Sequence, residues 1–120
     1  MSKINYLTLK RKLEKTIEDI DFQKENDLVP VIVQDINTKE VLTLAYANKE
    51  SLELTKKTGN SWFWSRSRKK LWMKGEESGN TQKVKKILVD CDLDAVIYLV
   101  EPIGPACHTG QRNCFHNSLK

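Results

Sequence analysis

The chain has 120 residues, enough for one domain with a modest core and too few for two. Its 39% hydrophobic and 30% charged residues fit a soluble globular protein, and its longest apolar run, residues 95–100, is far below a membrane span. No segment at the start resembles a signal peptide, and an odd number of cysteines argues against a disulfide framework, so free thiols in a reducing cytoplasm are expected. The net charge of +4 is moderate, but Arg66, Arg68, Lys69, Lys70 and Lys74 cluster, followed by Lys83, Lys85 and Lys86. Such a cluster suits a solvated face, a nucleic acid or a phosphorylated small molecule, and charge alone does not choose.

In chain order, Leu9, Leu13, Ile17 and Ile20 recur at helical spacing and predict an amphipathic packing helix over residues 8–21. Residues 28–34 and 41–46 are rich in β-branched and apolar types, and the polar Asn37-Thr38-Lys39 between them predicts a hairpin. Asn48 reads as the N-cap of a helix over residues 49–57, with Gly59 as its stop. Residues 61–68 alternate, with Trp62, Trp64, Arg66 and Arg68 on one face and Phe63, Ser65 and Ser67 on the other. Lys69-Lys70 then turns the chain, residues 71–74 return it, and residues 75–80 form a polar loop. Residues 84–90 fit a helix or a strand and are read as strand; residues 94–103 are strand. Two helices and about six strands give an α+β fold, a single strand-rich domain over residues 1–120 with a largely antiparallel sheet.

The chemistry concentrates between residues 90 and 114. Gly104, Pro105 and Gly110 mark a loop that holds Cys107, His108 and Cys114, and Cys91 lies upstream within Asp90-Cys91-Asp92-Leu93-Asp94. Soft ligands, an imidazole and three carboxylates so close together point to a metal-dependent active site. In an ideal strand Asp90, Asp92 and Asp94 would share a face, with the outer two about 13 Å apart. To meet one cation the backbone must curl there or waters must bridge, and such oxygen ligands suit Mg²⁺. The alternative is exposed acids ending a strand. With Glu101 these residues also occupy EF-hand positions one, three, five and twelve, but Ala95 stands where that loop needs glycine, so the EF-hand is rejected.

The cysteines fit zinc. Cys107 and Cys114 in one loop, with Cys91 as a third ligand, leave the open position of a catalytic site. His108 or His116 as a fourth ligand would close it into a structural site. A nucleophilic cysteine and inert buried thiols are the other readings, the former weakened because His108 directly adjoins Cys107.

The run Trp64-Ser65-Arg66-Ser67-Arg68, then residues 71–79, then Asp90-Cys91-Asp92-Leu93-Asp94, then Gly104-Pro105-Ala106-Cys107-His108-Thr109-Gly110 with Cys114-Phe115, resembles the phosphoribosyl-AMP cyclohydrolase family of histidine biosynthesis. The resemblance spans residues 21–115. It departs at Ala47, where a bulkier residue is expected, and at Asn113, where Ser is common. It implies an intertwined homodimer that hydrolyses the N1–C6 bond of the adenine ring of phosphoribosyl-AMP to the formimino intermediate, ProFAR. It also implies zinc held by Cys91 of one subunit with Cys107 and Cys114 of the other, and Mg²⁺ near Asp90, Asp92 and Asp94. Because the chain ends shortly after Phe115, the stand-alone form of the enzyme is expected.

That reaction gives the remaining residues expected roles. Attack at an aromatic carbon needs a strong nucleophile, and zinc lowers the pKa of its bound water toward about 7, as in nucleobase deaminases. His108 is the first candidate proton shuttle and Glu76 the second. Arg66, Arg68, Lys74 and Arg112 are candidates for the substrate phosphates, with hydroxyls from Ser65, Ser67, Ser78 and Thr109. Trp64 or Trp72 is placed to stack on a base. A second class, a zinc-stabilised basic module binding RNA, rests on the Lys/Arg cluster and its interleaved tryptophans. Three aspartates beside the zinc ligands would repel a phosphate backbone, so the small-molecule enzyme is preferred, with neither nucleic acid nor membrane as partner.

Overall fold

A computed structural model describes residues 13–120. A 3-10 turn at Ile17–Asp19 leads into β1 (Val29–Asp35), β2 (Val41–Ala47), α1 (Lys49–Thr58), β3 (Trp62–Ser65), β4 (Lys70–Met73), β5 (Gln82–Val89) and β6 (Val96–Pro102). Strands β1, β2, β5 and β6 form one sheet in the order β2-β1-β6-β5, and β3 and β4 pair as a separate hairpin. The β1–β2 and β5–β6 pairs are antiparallel, whereas β1 and β6 run parallel from Val31↔Val96 to Asp35↔Val100. A parallel pair needs a crossover, and here β2, α1, the hairpin and β5 all lie within it. The sheet is therefore mixed but mostly antiparallel, as the α+β reading expects.

The described residues contain one α-helix rather than two. The first part of the expected helix over residues 8–21 lies outside the described residues. Within them, Thr16 is extended (φ −111°, ψ 169°) and only a three-residue 3-10 turn follows. The Asp19 carboxylate accepts the Thr16 amide at 2.8 Å and its hydroxyl at 3.2 Å, so local side-chain bonds compete with the helical ladder. Helix α1 behaves as expected. Asn48 Oδ1 accepts the Ser51 amide at 2.8 Å, Ser51 Oγ accepts the Asn48 amide at 2.9 Å, and Gly59 ends the helix at φ 76°.

The strand expected over residues 61–68 stops at Ser65, and residues 66–69 form the hairpin turn, with Lys69 at φ 52°. Arg66 and Arg68 thus leave the alternation of β3.

One face of the sheet makes the core. Val29, Val31 and Val33 meet Val96, Tyr98 and Val100, and Leu42, Leu52 and Phe63 close over them. The Phe63 ring lies 5.6 Å from Tyr98 and 5.0 Å from Trp72, which seats the hairpin on the sheet. On the opposite face the pairings Leu44↔Ile32, Ile32↔Ile97 and Ile97↔Leu88 line up an apolar row across all four strands. Leu44 is 49% exposed, and Ile32 and Leu88 are each 38% exposed. No described helix is long and apolar enough to cross a membrane.

Candidate functional site

The aspartate segment curls, one of the two arrangements that a shared cation requires. Asp90 donates its amide to the Ala95 carbonyl at 3.0 Å, and its Oδ1 accepts the amides of Asp94 at 2.9 Å and Ala95 at 3.1 Å. Leu93 takes a left-handed conformation, φ 64°, to complete the turn. As a result Asp90, Asp92 and Asp94 each bring an oxygen within 4.8 Å of the others, against the wide spacing of an ideal strand. Burial pushes the Asp90 carboxyl up, but the two amides outweigh it and hold Asp90 below its ordinary value. Asp92 is pushed up, chiefly by its contacts with Asp94 and Asp90. Three mutually repelling carboxylates with open coordination suit a hard divalent cation. The Lys24 ammonium already leans on them, 3.2 Å from Asp94 and 3.9 Å from Asp92.

The cysteine loop is built on different supports. Ile103 donates to Thr81 O at 2.8 Å, Cys107 to Gln111 O at 3.2 Å, Gly110 to Cys107 O at 3.0 Å and Cys114 to Leu42 O at 2.8 Å. Gly104, at φ 86°, packs directly on Asn80, where an added Cβ would fall 2.3 Å from the side-chain oxygen. Cys107 is buried, and Cys91 and Cys114 are exposed. The Thr109 hydroxyl donates to Cys107 Sγ at 3.1 Å, and His116 Nε2 lies 3.8 Å from the same sulfur. The Thr109 hydroxyl, followed by its amide and His116, brings the Cys107 thiol down to about 6 against the opposing effect of burial. A thiol in that state is ready to ligate a soft metal at neutral pH.

Cys91 does not join this pair within the chain. It precedes β6, beside the Val89↔Val96 pairing, whereas the loop with Cys107 follows the other end of β6. Cys114 is tied to Leu42, next to the Val41↔Gln34 pairing, and Gln34 faces Leu99. Cys114 therefore stands level with the middle of β6, about three residues or roughly 10 Å along the strands from the Val96 level beside Cys91, and on the far side of β1 and β6. Among the described residues, Asp90, Asp92 and Asp94 are the one group of three or more His, Cys, Asp or Glu whose ligand atoms converge.

The remaining predicted residues gather round the β3–β4 hairpin or the cysteine loop. The Arg66 guanidinium sits 3.8 Å over the Tyr46 ring. Ser65 Oγ accepts the Arg68 amide at 3.2 Å and lies 3.4 Å from Ser67 Oγ, and Trp64 and Trp72 line the same shallow hollow as Arg66. Arg68 shares an adjoining hollow with Glu76 and Ser78. There Glu76 accepts the Met73 amide at 3.3 Å, and Ser78 accepts the Asn80 amide at 3.2 Å. The Lys74 amide is bound to Ser61 O at 2.9 Å.

In the cysteine loop, Thr109 turns its hydroxyl to Cys107, and Arg112 pairs with Glu40 at 2.9 Å. His108 is exposed; His116 is the histidine at the sulfur. Sequence spacing carries no signal for that choice, because the loop that folds His116 back has no period. Glu40 and Lys24 were missed for a related reason: their partners lie more than 60 residues away in the chain.

An α+β domain on one mixed sheet, with a carboxylate cluster just before β6 and a thiolate-bearing loop just after it, is the class that this geometry defines. Residues 43–116 match the family described as phosphoribosyl-AMP cyclohydrolase. The chain is 78% identical over 108 residues to the phosphoribosyl-AMP cyclohydrolase of Nitrosopumilus maritimus, covering 90% of this chain and all of that protein. It is 62% identical over 96 residues to the one of Archaeoglobus fulgidus, covering 80% and 89%. It is also 64% identical over 95 residues to a histidine biosynthesis bifunctional protein of Thermus thermophilus, of which it covers 44%. The chain belongs to the phosphoribosyl-AMP cyclohydrolase family of histidine biosynthesis.

Proposed function

We propose that this protein hydrolyses the N1–C6 bond of the adenine ring of phosphoribosyl-AMP to give ProFAR, as a homodimer with two shared zinc sites. Cys91 of one subunit would complete each site with Cys107 and Cys114 of the other, and Asp90, Asp92 and Asp94 would hold Mg²⁺. The observation that carries this reading is the separation of Cys91 from Cys107 and Cys114 across the sheet in a chain of this family. A three-thiolate site then requires a second chain. The apolar row Leu44–Ile32–Ile97–Leu88 supports such a partner, since a sheet face of that character gains by being covered.

The donor sets fit both metals. Cys107 is lowered to about 6 and so can be a thiolate near neutral pH, and the triad offers hard oxygens already drawn together. Bound zinc would supply the Lewis acidity that makes a water nucleophilic near neutral pH. The chain's own residues do the rest. Cys107 is kept anionic by the Thr109 hydroxyl. His108, exposed beside it, carries a proton to N1 as that nitrogen leaves, with Glu76 as the second candidate. Arg66 and Arg68, which line the two hollows with Ser65, Ser67 and Ser78 as hydroxyl donors, are the cations for the substrate phosphates, and Lys74 is a further candidate. Trp64 and Trp72 give the hollow beside Arg66 its flat apolar walls for the base.

Mixed dimers test the reading. Cys91→Ala and Cys114→Ala should each be inactive alone, because every site in either homodimer lacks a ligand. Co-refolded, about half of the dimers are mixed, and each of these has both lesions in one site and none in the other. Roughly a quarter of all sites should then turn over phosphoribosyl-AMP. Mixed dimers, verified by mass, that recover nothing would overturn the shared site.

A further inference from the structure

We infer that Glu40 is a positioning residue for the Cys114 end of the thiolate site, gripping the loop through Arg112 and Asn113, so that Arg112 serves the metal site rather than a substrate phosphate. The inference rests on the reading that Cys114 is a zinc ligand.

Glu40 closes the turn between β1 and β2, and its two carboxylate oxygens take separate partners. Oε1 accepts from Arg112 Nη2 at 2.9 Å, and Oε2 accepts from Asn113 Nδ2. These are the two residues immediately before Cys114. The neighbouring backbone is tied as well: the Cys114 amide donates to Leu42 O at 2.8 Å, and Asn113 Oδ1 accepts the Phe115 amide at 2.8 Å. Residues 112 to 115 are thus each held, and the holds on the Arg112 and Asn113 side chains converge on one carboxylate.

The base of the grip is itself rigid. The Asp35 amide donates to Glu40 O at 2.9 Å, and the Glu40 amide donates to Thr38 Oγ1 at 3.2 Å. Asp35 is buried, and its Oδ1 accepts the amides of Asn37 at 2.8 Å and Thr38 at 3.1 Å. Such a turn can hold a side chain in one place. The loop needs that help, because no strand or helix follows Pro102 and Cys114 is exposed. Metal ligands must be placed to within about 0.2 Å, and groups that orient them typically matter 10–100-fold in affinity.

The test compares zinc affinity in dimeric protein by competition with a chromophoric chelator. Glu40→Gln should keep its circular dichroism and dimer mass but hold zinc about 10-fold more weakly. Arg112→Gln should show the same loss of zinc affinity, with the KM for phosphoribosyl-AMP near that of the unaltered protein once zinc is saturating. Asn113→Ala, which changes no charge, should show a smaller loss. The exchange Glu40→Arg with Arg112→Glu should restore part of the affinity. Unchanged zinc affinity in both Glu40→Gln and Arg112→Gln would overturn the inference. So would a raised KM with intact zinc binding in Arg112→Gln, which would return that residue to the phosphate. If Cys114→Ala holds zinc as tightly as the unaltered protein, the underlying ligand assignment fails, and the inference fails with it.

Discussion

Thr55→Val probes the junction that fixes the hairpin to the rest of the domain. Thr55 is 1% exposed, near the end of α1. Its hydroxyl donates to Ser51 O at 2.9 Å, accepts the Trp62 amide at 3.0 Å and lies 3.3 Å from the Tyr98 hydroxyl. Tyr98, fully buried, donates in turn to Trp62 O at 3.2 Å. Valine has the shape of threonine, so packing is kept and the change removes one oxygen. The Ser51 carbonyl still has its helical partner, and Tyr98 still has Trp62 O. The Trp62 amide, however, loses its acceptor beside the buried Thr55 and Tyr98 side chains. A buried donor left unpaired costs about 1–3 kcal/mol, and that is the expected loss. Urea unfolding should be followed in zinc-loaded protein at one fixed concentration, because metal and subunit binding both add to apparent stability. A loss below about 0.5 kcal/mol with an unchanged urea slope would refute the reasoning, because the amide would then have to reach water.

At the aspartate triad, Asp92→Asn should impair Mg²⁺-dependent turnover while zinc stays at about one per subunit by elemental analysis; zinc lost together with Mg²⁺ would mean that the ligands are wrongly divided. Lys24→Met removes a competing cation, so calorimetric titration should show Mn²⁺ binding tightened by about two- to five-fold, and weaker binding would mean that Lys24 instead gathers the carboxylates. His108→Ala should leave zinc content intact and slow turnover by roughly 10²–10⁴-fold if it is the proton shuttle; zinc loss would make it a ligand instead. Thr109→Val should raise the Cys107 thiol from about 6 in zinc-free protein, seen by thiolate absorbance. A thiol held below its ordinary 9.0 adds stability that is fully present above that value and lost as pH falls through about 6. The variant should therefore show a flatter rise of stability with pH across that window.

Local chemistry made much of the fold legible. Asn48 and Gly59 bracket α1 because a side-chain cap and a left-handed glycine act within one turn of the chain. The β1–β2 hairpin follows from two β-branched, apolar runs around a polar turn, whereas β5, whose residues also fit a helix, is fixed as strand by its pairing with β6. Where local reading failed, a competing local bond won. The Thr16–Asp19 bonds replaced helix with a 3-10 turn. At the aspartates the sequence left a curl or bridging waters open, and Asp90 decided for the curl by capping the Asp94 and Ala95 amides. Arg66 left the alternation of β3 because the chain reverses directly after Ser65, which placed its guanidinium on Tyr46 of another strand.

The residue types by themselves determined the chemistry on offer: soft thiols in one loop, hard carboxylates in another, cations and tryptophans between, in the order that marks the family. They did not determine distance. The parallel pairing of β1 with β6 puts Cys91 beside the start of β6 and Cys114 on the far side of the sheet, tied to β2. Periodicity reports which face a side chain takes within its own strand. The register between strands far apart in sequence is settled by the packing of both against a common core. The same holds for Glu40 with Arg112 and Lys24 with Asp94, whose partners become neighbours only when the sheet closes.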